Sequence, residues 1–136
     1  MTVELSTPAG MFQPVPYHHV SVATGSRYIS IAGQIARDEN ANKLAPGDLA
    51  GQLAHALRNT SKGLAGAGAS FADVVRLRFY VTNWEPAMYT DFMAGIESVV
   101  EELDIPQPLP PLSCIGVDYL FEPDVLVEVE ADALLD

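Results

Sequence analysis

The sequence predicts an α+β fold, a mixed sheet with two helices packed on one face. Two segments carry apolar residues at helical spacing, and five shorter segments are rich in β-branched residues that alternate with polar ones. Strands that precede, separate and follow two long helices are typical of the α+β class. A length of 136 residues suits one core, so we expect a single domain over residues 1–136.

The first half of the chain is predicted to form a hairpin, a loop and a helix. Residues 19–35 give two short strands around Thr24-Gly25-Ser26, a turn in which the glycine is free to adopt positive φ. The polar segment 36–47 ends in Pro-Gly and is expected to be a surface loop. Asp48 can cap a helix that ends near Gly66. The apolar stripe of this helix consists of Leu49, Leu53, Leu57 and Leu64, with Ala56 and Thr60 between them.

The second half begins with the clearest strand pattern of the chain, residues 74–82. A second helix is expected from Pro86 to Leu103, since proline suits a first helical turn. Four prolines within 106–111 then form a stiff connector. Two more strands follow over 113–120 and 125–134. In the strand 74–82, one face is expected to carry Val75, Leu77, Phe79 and Val81, and the other Val74, Arg76, Arg78 and Tyr80. In the strand 125–134, one face is expected to carry Val125, Val127, Val129 and Ala131, and the other Leu126, Glu128, Glu130 and Asp132.

Charge and composition exclude several classes of function. Seven Lys and Arg stand against eighteen Asp and Glu, and the formal charge of −11 repels a phosphate backbone, so nucleic acid is not an expected partner. The single cysteine excludes an intramolecular disulfide and a multi-cysteine metal site. The N-terminal segment lacks a signal-peptide pattern, and no segment is apolar enough to span a membrane. We therefore expect no membrane association and, by default, a cytoplasmic location.

Motifs for cofactors and metals are also missing. Gly63, Gly66 and Gly68 close a helix instead of opening one, so they lack the context of a phosphate-binding loop. The histidines are few: His18 and His19 are adjacent and would point to opposite faces of an extended segment. The third, His55, lies off the leucine stripe and is expected to be exposed. We expect neither a metal nor a cofactor.

The acidic face of the last strand is the most unusual feature. Glu128 and Glu130 lie two residues apart and Asp132 follows. This face is either a solvated or subunit-facing surface with Arg76 and Arg78 as partners, or one carboxylate lies at a cleft. In the second case the carboxylate would act as acid, base or water-orienting group, with its pKa raised by partial burial. The sequence does not choose between Glu128 and Glu130.

Cys114 stands in the segment Pro110–Asp118, just after the prolines. No lysine, arginine or histidine lies within four residues of it, so nothing nearby in the sequence stabilises a thiolate. Buried free cysteines usually behave as small hydrophobic side chains. We expect Cys114 to contact a ligand and not to attack it.

Several of these segments together resemble one known family. The segments are Tyr17 after a proline, Ile31–Ile35, the helix from Asp48, the strand 74–82, the proline-rich connector, Ser113-Cys114 and the closing Val127–Ala131. This ordered set spans about residues 14–133 and resembles the Rid family, also called YjgF/YER057c/UK114. The resemblance implies a fold like that of bacterial chorismate mutase and a homotrimer with small-molecule clefts between subunits.

The resemblance also implies an activity, the cofactor-free hydrolysis of reactive enamines and imines to a ketoacid and ammonia. Carried over by position, Tyr17, Gly33, Cys114 and Glu128 match residues of the family's cleft. The glutamate is implied to position the attacking water. In the best-known branch, an arginine two residues before the cysteine binds the substrate carboxylate in a bidentate pair.

The chain departs from the family at that arginine, because Leu112 occupies its position and no Lys or Arg follows Arg78. A neighbouring subunit's Arg27 or Arg37 could restore an anion site. Beside Tyr17 stand His18 and His19, either of which could supply a proton donor or acceptor. If the segment is extended, His19 shares the face of Tyr17 and is the histidine expected near the cleft.

Two hypotheses for function follow. The first is a Rid-like hydrolase or deaminase in which Glu128, His19 and Tyr17 are catalytic, and Gly33, Leu112 and Cys114 bind a substrate other than the usual anionic imino acid. The second is a module of the same trimeric fold that binds a small metabolite without turnover.

Overall fold

The computed structural model describes residues 3–136, and within them the chain forms six strands and three α-helices. Their bounds are β1 Val3–Ser6, β2 Val20–Ala23, β3 Arg27–Gln34, α1 Leu49–Gly66, β4 Val74–Thr82, α2 Tyr89–Glu97, α3 Val100–Leu103, β5 Leu112–Val117 and β6 Val127–Leu135. The predicted α+β class is confirmed.

The strands form a four-stranded mixed sheet and a two-stranded one. The larger sheet has the order β3-β6-β4-β5, with β5 parallel to β4 and the other neighbours antiparallel. The smaller sheet pairs β1 with β2. One face of the larger sheet packs against α1 and α2, and the core lies between them. Because β5 comes last in this order, it lies at an edge of the sheet.

The predicted alternation of β6 is confirmed. Val125, Val127 and Val129 are buried, whereas Glu128 and Glu130 are only partly covered on the opposite face. That opposite face of the sheet is open, because both helices lie on the core side. The first helix is confirmed as well, since Asp48 caps it by accepting a hydrogen bond from the Gly51 N–H at 3.0 Å.

The predicted hairpin over 19–35 is wrong. β2 pairs with β1 and β3 pairs with β6, so the two strands are not hydrogen-bonded partners. Gly25 does not adopt positive φ; instead, a Cβ on it would overlap the carbonyl of Leu135. Here the glycine permits a close approach to the C-terminal strand, which comes from more than a hundred residues away and leaves no local pattern.

The predicted helix from Pro86 to Leu103 is interrupted. Pro86–Met88 form a 3-10 turn, and α2 and α3 are separated at Ser98 and Val99. The Ser98 hydroxyl donates to the Gly95 carbonyl at 2.8 Å, which in a continuous helix would accept from the Val99 N–H. The Val99 N–H turns instead to the Ile96 carbonyl at 3.1 Å.

Two smaller expectations also differ from the structure. The register of β4 shifts between Val74 and Arg76, which places Val74 in the core and leaves Val75 half-buried, the reverse of simple alternation. The Val75 carbonyl accepts a hydrogen bond from the Ser21 hydroxyl at 2.8 Å. His55 is half-buried, not exposed, because the helix packs on both the sheet and α2.

Candidate functional site

An apolar cavity of about 410 Å³ opens beside the edge strand β5. Leu112 and Cys114 point to the helix side of the sheet, where they meet residues of α2 and of the loop before it. The lining consists of Pro16, Tyr17, Trp84, Tyr89, Phe92, Met93, Leu112, Ser113 and Cys114. Three of the residues predicted for the site therefore lie together in one cavity: Tyr17, Leu112 and Cys114.

Tyr17 is held at the cavity by the proline-rich connector. The Leu109 N–H donates to the Pro16 carbonyl at 3.0 Å, and the His18 N–H donates to the Leu109 carbonyl at 2.7 Å. Prolines on both segments have no N–H to donate, so Leu109 and His18 supply the two donors that join them. The connector thus places the N-terminal segment against the start of β5.

The two histidines beside Tyr17 have different surroundings. The ring of His19 lies 5.3 Å from that of Tyr17, and its Nε2 is 2.7 Å from the Phe12 carbonyl. A carbonyl only accepts, so Nε2 carries the proton, and Nδ1 of the neutral ring is left as an acceptor. His19 itself borders a different cavity, on the open side of the sheet. Within residues 3–136, the Nδ1 of His18 is buried without a hydrogen-bond partner.

One wall of the apolar cavity is built from aromatic rings that pack edge to face. Trp84 meets Phe92 edge to face at 5.7 Å, and Phe92 meets Phe79 edge to face at 5.1 Å. Gly116 makes room for this wall, since a Cβ there would lie 3.1 Å from the Cβ of Trp84. Edge-to-face packing fixes ring orientation, so the wall is preformed.

The thiol of Cys114 is not activated in this setting. Cys114 is exposed at the rim of the cavity, and the part of its desolvation that remains there raises the pKa of the thiol. A thiol with a raised pKa is a poor nucleophile near neutral pH.

The second part of the predicted site lies elsewhere on the protomer. The carboxylate of Glu128 lies directly over the Cα of Gly33, where a Cβ would overlap it. Gly33 sits where the register between β3 and β6 shifts, which brings it close to this side chain. Because Glu128 is on the open face and Cys114 on the helix face, the sheet separates the two groups within one chain.

The three acidic residues of β6 now differ from one another. Asp132 pairs with Arg78 at 3.0 Å, and Glu130 accepts a hydrogen bond from the Tyr80 hydroxyl at 2.7 Å. Glu128 makes no side-chain hydrogen bond or ion pair within residues 3–136. Desolvation, reinforced by the charge of Glu130, raises the pKa of the Glu128 carboxyl. Of the two glutamates that the sequence left open, Glu128 is the one free to act on a ligand.

Of the predicted arginine partners, Arg76 donates instead to the Ser113 hydroxyl at 2.8 Å, so only Arg78 forms an ion pair with the acidic face. Arg37 is occupied as well. Its guanidinium makes a bidentate pair with Asp124 at 2.8 Å for both bonds and contacts Glu122 at 2.9 Å. These contacts hold the pKa of Asp124 below its usual range. Arg27 donates to the Asp136 carbonyl at 3.1 Å.

Sequence reasoning missed the aromatic lining of the cavity. Trp84, Tyr89 and Met93 were not singled out, and Phe92 was assigned only to a buried helix face. One signal was available: Trp84 is the only tryptophan and lies two residues after the clearest strand. Within residues 3–136, no cluster of three or more His, Cys, Asp or Glu side chains could hold a metal ion, and no helix is both long and apolar enough to cross a membrane.

Comparison with known proteins decides the family. A family model described as endoribonuclease L-PSP matches residues 12–135. The chain belongs to this family, which is the Rid or YjgF family. The membership expected from the ordered motifs is confirmed, and so is the chorismate-mutase-like fold.

Individual relatives of this Rid-family chain cover nearly its whole length. It is 31% identical over 134 residues to the 3-aminoacrylate deaminase RutC of Acinetobacter baylyi, with 98% of each chain covered. Its structure is similar to that of YyfB of Yersinia pestis, a Rid protein of unknown function, with a TM-score of 0.87, 36% identity, and 99% of this chain and 100% of that one covered. It also resembles Rv2704 of Mycobacterium tuberculosis, with a TM-score of 0.61 and 27% identity, covering 98% of this chain and 100% of that one.

Proposed function

We propose that the protein is a Rid-like hydrolase that deaminates a small reactive imine or enamine in a cleft between subunits of a homotrimer. The observation that carries the proposal is the Glu128 carboxylate over the Cα of Gly33, which has a raised pKa and no side-chain partner within residues 3–136. Kinship with a relative named as an aminoacrylate deaminase supports the reaction class. The reaction uses water alone and requires no cofactor.

The separation of two parts of the predicted site within one protomer supports the proposed assembly of copies, and the family resemblance supplies the number three. The apolar cavity with Tyr17 and Cys114 lies on the helix side, and Glu128 with Gly33 lies on the open side of the same sheet. A heterologous contact joins the cavity of one copy to the carboxylate of the next, and three copies close such a ring.

The proposed reaction is addition of water to a C=N bond. Glu128 orients the water and accepts one of its protons as oxygen attacks the imine carbon. The nitrogen takes a proton from Tyr17 or through His19, and backbone groups at Gly33 and Cys114 polarise the substrate. The carbinolamine then collapses to a carbonyl compound and ammonia. An enamine first takes a proton on carbon to become the imine.

The test is an imine-trapping assay. Imines generated in place by an oxidase are captured by semicarbazide, and the protein is expected to reduce the captured fraction by speeding hydrolysis. Glu128→Ala should abolish the effect, with Tyr119→Ala, an exposed aromatic outside both half-sites, as the control. Full activity of Glu128→Ala, or no acceleration of carboxylated and neutral imines alike, would contradict the proposal.

A second candidate is a module that binds a metabolite without turnover, and Leu112 favours it. A charged hydrogen bond to a carboxylate is worth about 1.5–3 kcal/mol, which a leucine cannot supply. Binding to the native state alone raises the melting temperature. A ligand that raises the melting temperature and is recovered unchanged, in a protein inactive on all imines tested, would favour this candidate.

RNA cleavage, which the family description mentions, is not part of the proposal. The net charge of −11 opposes RNA binding. Arg37, Arg58 and Arg78 are paired with carboxylates, which leaves few cations for a phosphate backbone. The expectation is no cleavage of single-stranded RNA at physiological salt.

A further inference from the structure

We propose that the apolar cavity beside β5 selects an imine with an aromatic side group and no carboxylate, such as one formed from an arylalkylamine. The ligand class is inferred from the cavity, whereas its turnover rests on the proposed function. The aromatic wall that includes Trp84 would hold the side group, and the position of Leu112 would reject an anion.

The first argument for this ligand class is the charge of the cavity lining. None of its lining residues is a cation, and the chain contains no Lys or Arg after Arg78. Arg37 and Arg78 are held in ion pairs at 2.8 and 3.0 Å, and Arg76 donates to the hydroxyl of the lining residue Ser113 at 2.8 Å. A carboxylate placed in the cavity would lose its hydration and gain no cationic partner from the lining. A neutral imine, or its protonated form, avoids this loss.

The second argument is the shape and chemistry of the aromatic wall. Trp84 and Phe92 present preoriented rings, and Tyr89 remains 49% exposed at the rim. A volume of about 410 Å³ can hold a phenyl ring with a short chain and lies within the range of small-molecule sites. Aromatic faces also attract a cation, so a protonated imine next to them is favoured.

The reaction of such a ligand balances without any further reactant. For a side group R, R–CH=NH and water give R–CHO and ammonia: a C–O double bond forms, the C–N double bond breaks, and both protons of water end on nitrogen, one as water adds and the other as the carbinolamine collapses. No electrons are transferred to or from the protein.

The kinetic test uses matched imines. A flavin amine oxidase acting on phenethylamine supplies the aryl imine, an amino-acid oxidase acting on phenylalanine supplies the same ring with a carboxylate, and ethylamine supplies a small imine. We expect acceleration of the phenethylamine-derived imine to exceed that of the phenylalanine-derived one by about tenfold or more. Equal or greater acceleration of the carboxylated imine overturns the proposal.

Substitutions of Trp84 test whether the aromatic wall determines the preference for an aryl imine. Trp84→Ala should lower kcat/KM for the aryl imine by about tenfold or more and should lower it much less for the ethylamine-derived imine. The retained activity on the small imine shows that the variant is folded, and Trp84→Phe should fall between it and wild type. Tyr119→Ala is the matched aromatic control outside the cavity. Equal losses on both imines in Trp84→Ala overturn the assignment of the wall.

A binding test works even without turnover, because the chain has one tryptophan and one cysteine and both line this cavity. Phenylacetamide should change the fluorescence of Trp84 and slow thiol labelling of Cys114; phenylacetate and acetamide should do so only at concentrations about tenfold higher or more. Leu112→Arg should allow phenylacetate to bind at the same concentrations as phenylacetamide. Phenylacetamide binding without imine hydrolysis would refute the proposed function alone; phenylacetate binding as tightly as phenylacetamide to the wild type would refute the ligand class.

Discussion

At the scale of single residues, the surroundings of Glu128 distinguish it from its acidic neighbours. Tyr80 and Arg78 satisfy Glu130 and Asp132, whereas the Glu128 carboxylate is partly desolvated and unpaired within the described chain. A group kept in this state is suited to transfer a proton, since its free energy is raised in the charged form. The same feature should lower the stability of the fold at neutral pH.

This trade-off predicts opposite effects of Glu128→Gln on activity and stability. Activity should fall by roughly a hundredfold or more, because the proposed general base is lost. The folded-state pKa is raised, so the stability that wild-type Glu128 contributes is present at low pH and is lost as pH rises through that pKa. Thermal unfolding should therefore show a higher Tm for the variant near pH 7, and the gap should close on acidification. A lower Tm at pH 7 would contradict this account.

The neighbouring charge gives a prediction for pH dependence. Glu130 adds to the raised pKa of Glu128 after desolvation, and Glu130→Gln removes that charge while keeping an oxygen for the Tyr80 hydroxyl. The Glu128 pKa should drop, so the acid limb of the kcat/KM profile should move to lower pH. Asp132→Asn, farther along the same face, is the control. An acid limb that does not move would mean that Glu128 is not the group whose ionisation limits kcat/KM at low pH.

Gly33→Ala tests the contact between backbone and carboxylate. The new Cβ would overlap the end of the Glu128 side chain, which is flexible and can turn away. We expect stability close to wild type, measured by chemical denaturation, together with a large loss of imine hydrolysis. Ala substitution at Gly66, where nothing lies within 4 Å of the added Cβ, is the matched control. If Gly33→Ala retained imine hydrolysis, Gly33 would not be part of the site.

At the scale of elements, one buried amide ties the first helix to the last strand. Gln52 is 1% exposed, donates to the Asp124 carbonyl at 3.0 Å, and accepts from the Leu126 N–H at 2.9 Å. Together with the Arg37–Asp124 pair, it fixes the turn that leads into β6 and hence the register of Glu128. The helix stripe predicted the leucines around it, yet gave no reason to expect a polar anchor among them.

Gln52→Leu should therefore destabilise the protein although it adds apolar surface. The variant leaves the Leu126 N–H and the Asp124 carbonyl without partners, and a buried unsatisfied group costs about 1–3 kcal/mol. Urea denaturation should show this loss, whereas Lys62→Ala on an exposed position of the same helix should stay within about 0.5 kcal/mol of wild type. A stability equal to wild type would mean that the turn finds other partners.

The sequence predicted local elements well and their long-range pairing poorly. Alternation gave the bounds of β4 and the buried face of β6, and Asp48 with the glycines gave both ends of α1. The hairpin failed because the partners of β2 and β3 are distant segments, and no local pattern records them. The cavity was half predicted: motif order gave Tyr17 and Cys114, but Trp84 joins them only through tertiary packing.

At the scale of the whole molecule, the two half-sites suggest an experiment on mixed oligomers. Glu128→Gln removes the carboxylate on the open face, and Cys114→Phe fills the cavity on the helix face. Each variant alone should be inactive on imines. If every cleft combines the cavity of one copy with the carboxylate of another, an equal mixture of the two variants regains sites in which both halves are intact.

Random assembly of equal amounts should restore roughly a quarter of wild-type activity, because each cleft needs one intact half from each of two particular neighbours. The mixture would be made by joint refolding or co-expression and checked for trimers by analytical ultracentrifugation. Mixing the folded variants without subunit exchange is the control and should stay inactive. Activity confined to wild type, with mixed trimers present, would place both halves in one chain; a 14.6 kDa monomer that hydrolyses imines would do so as well.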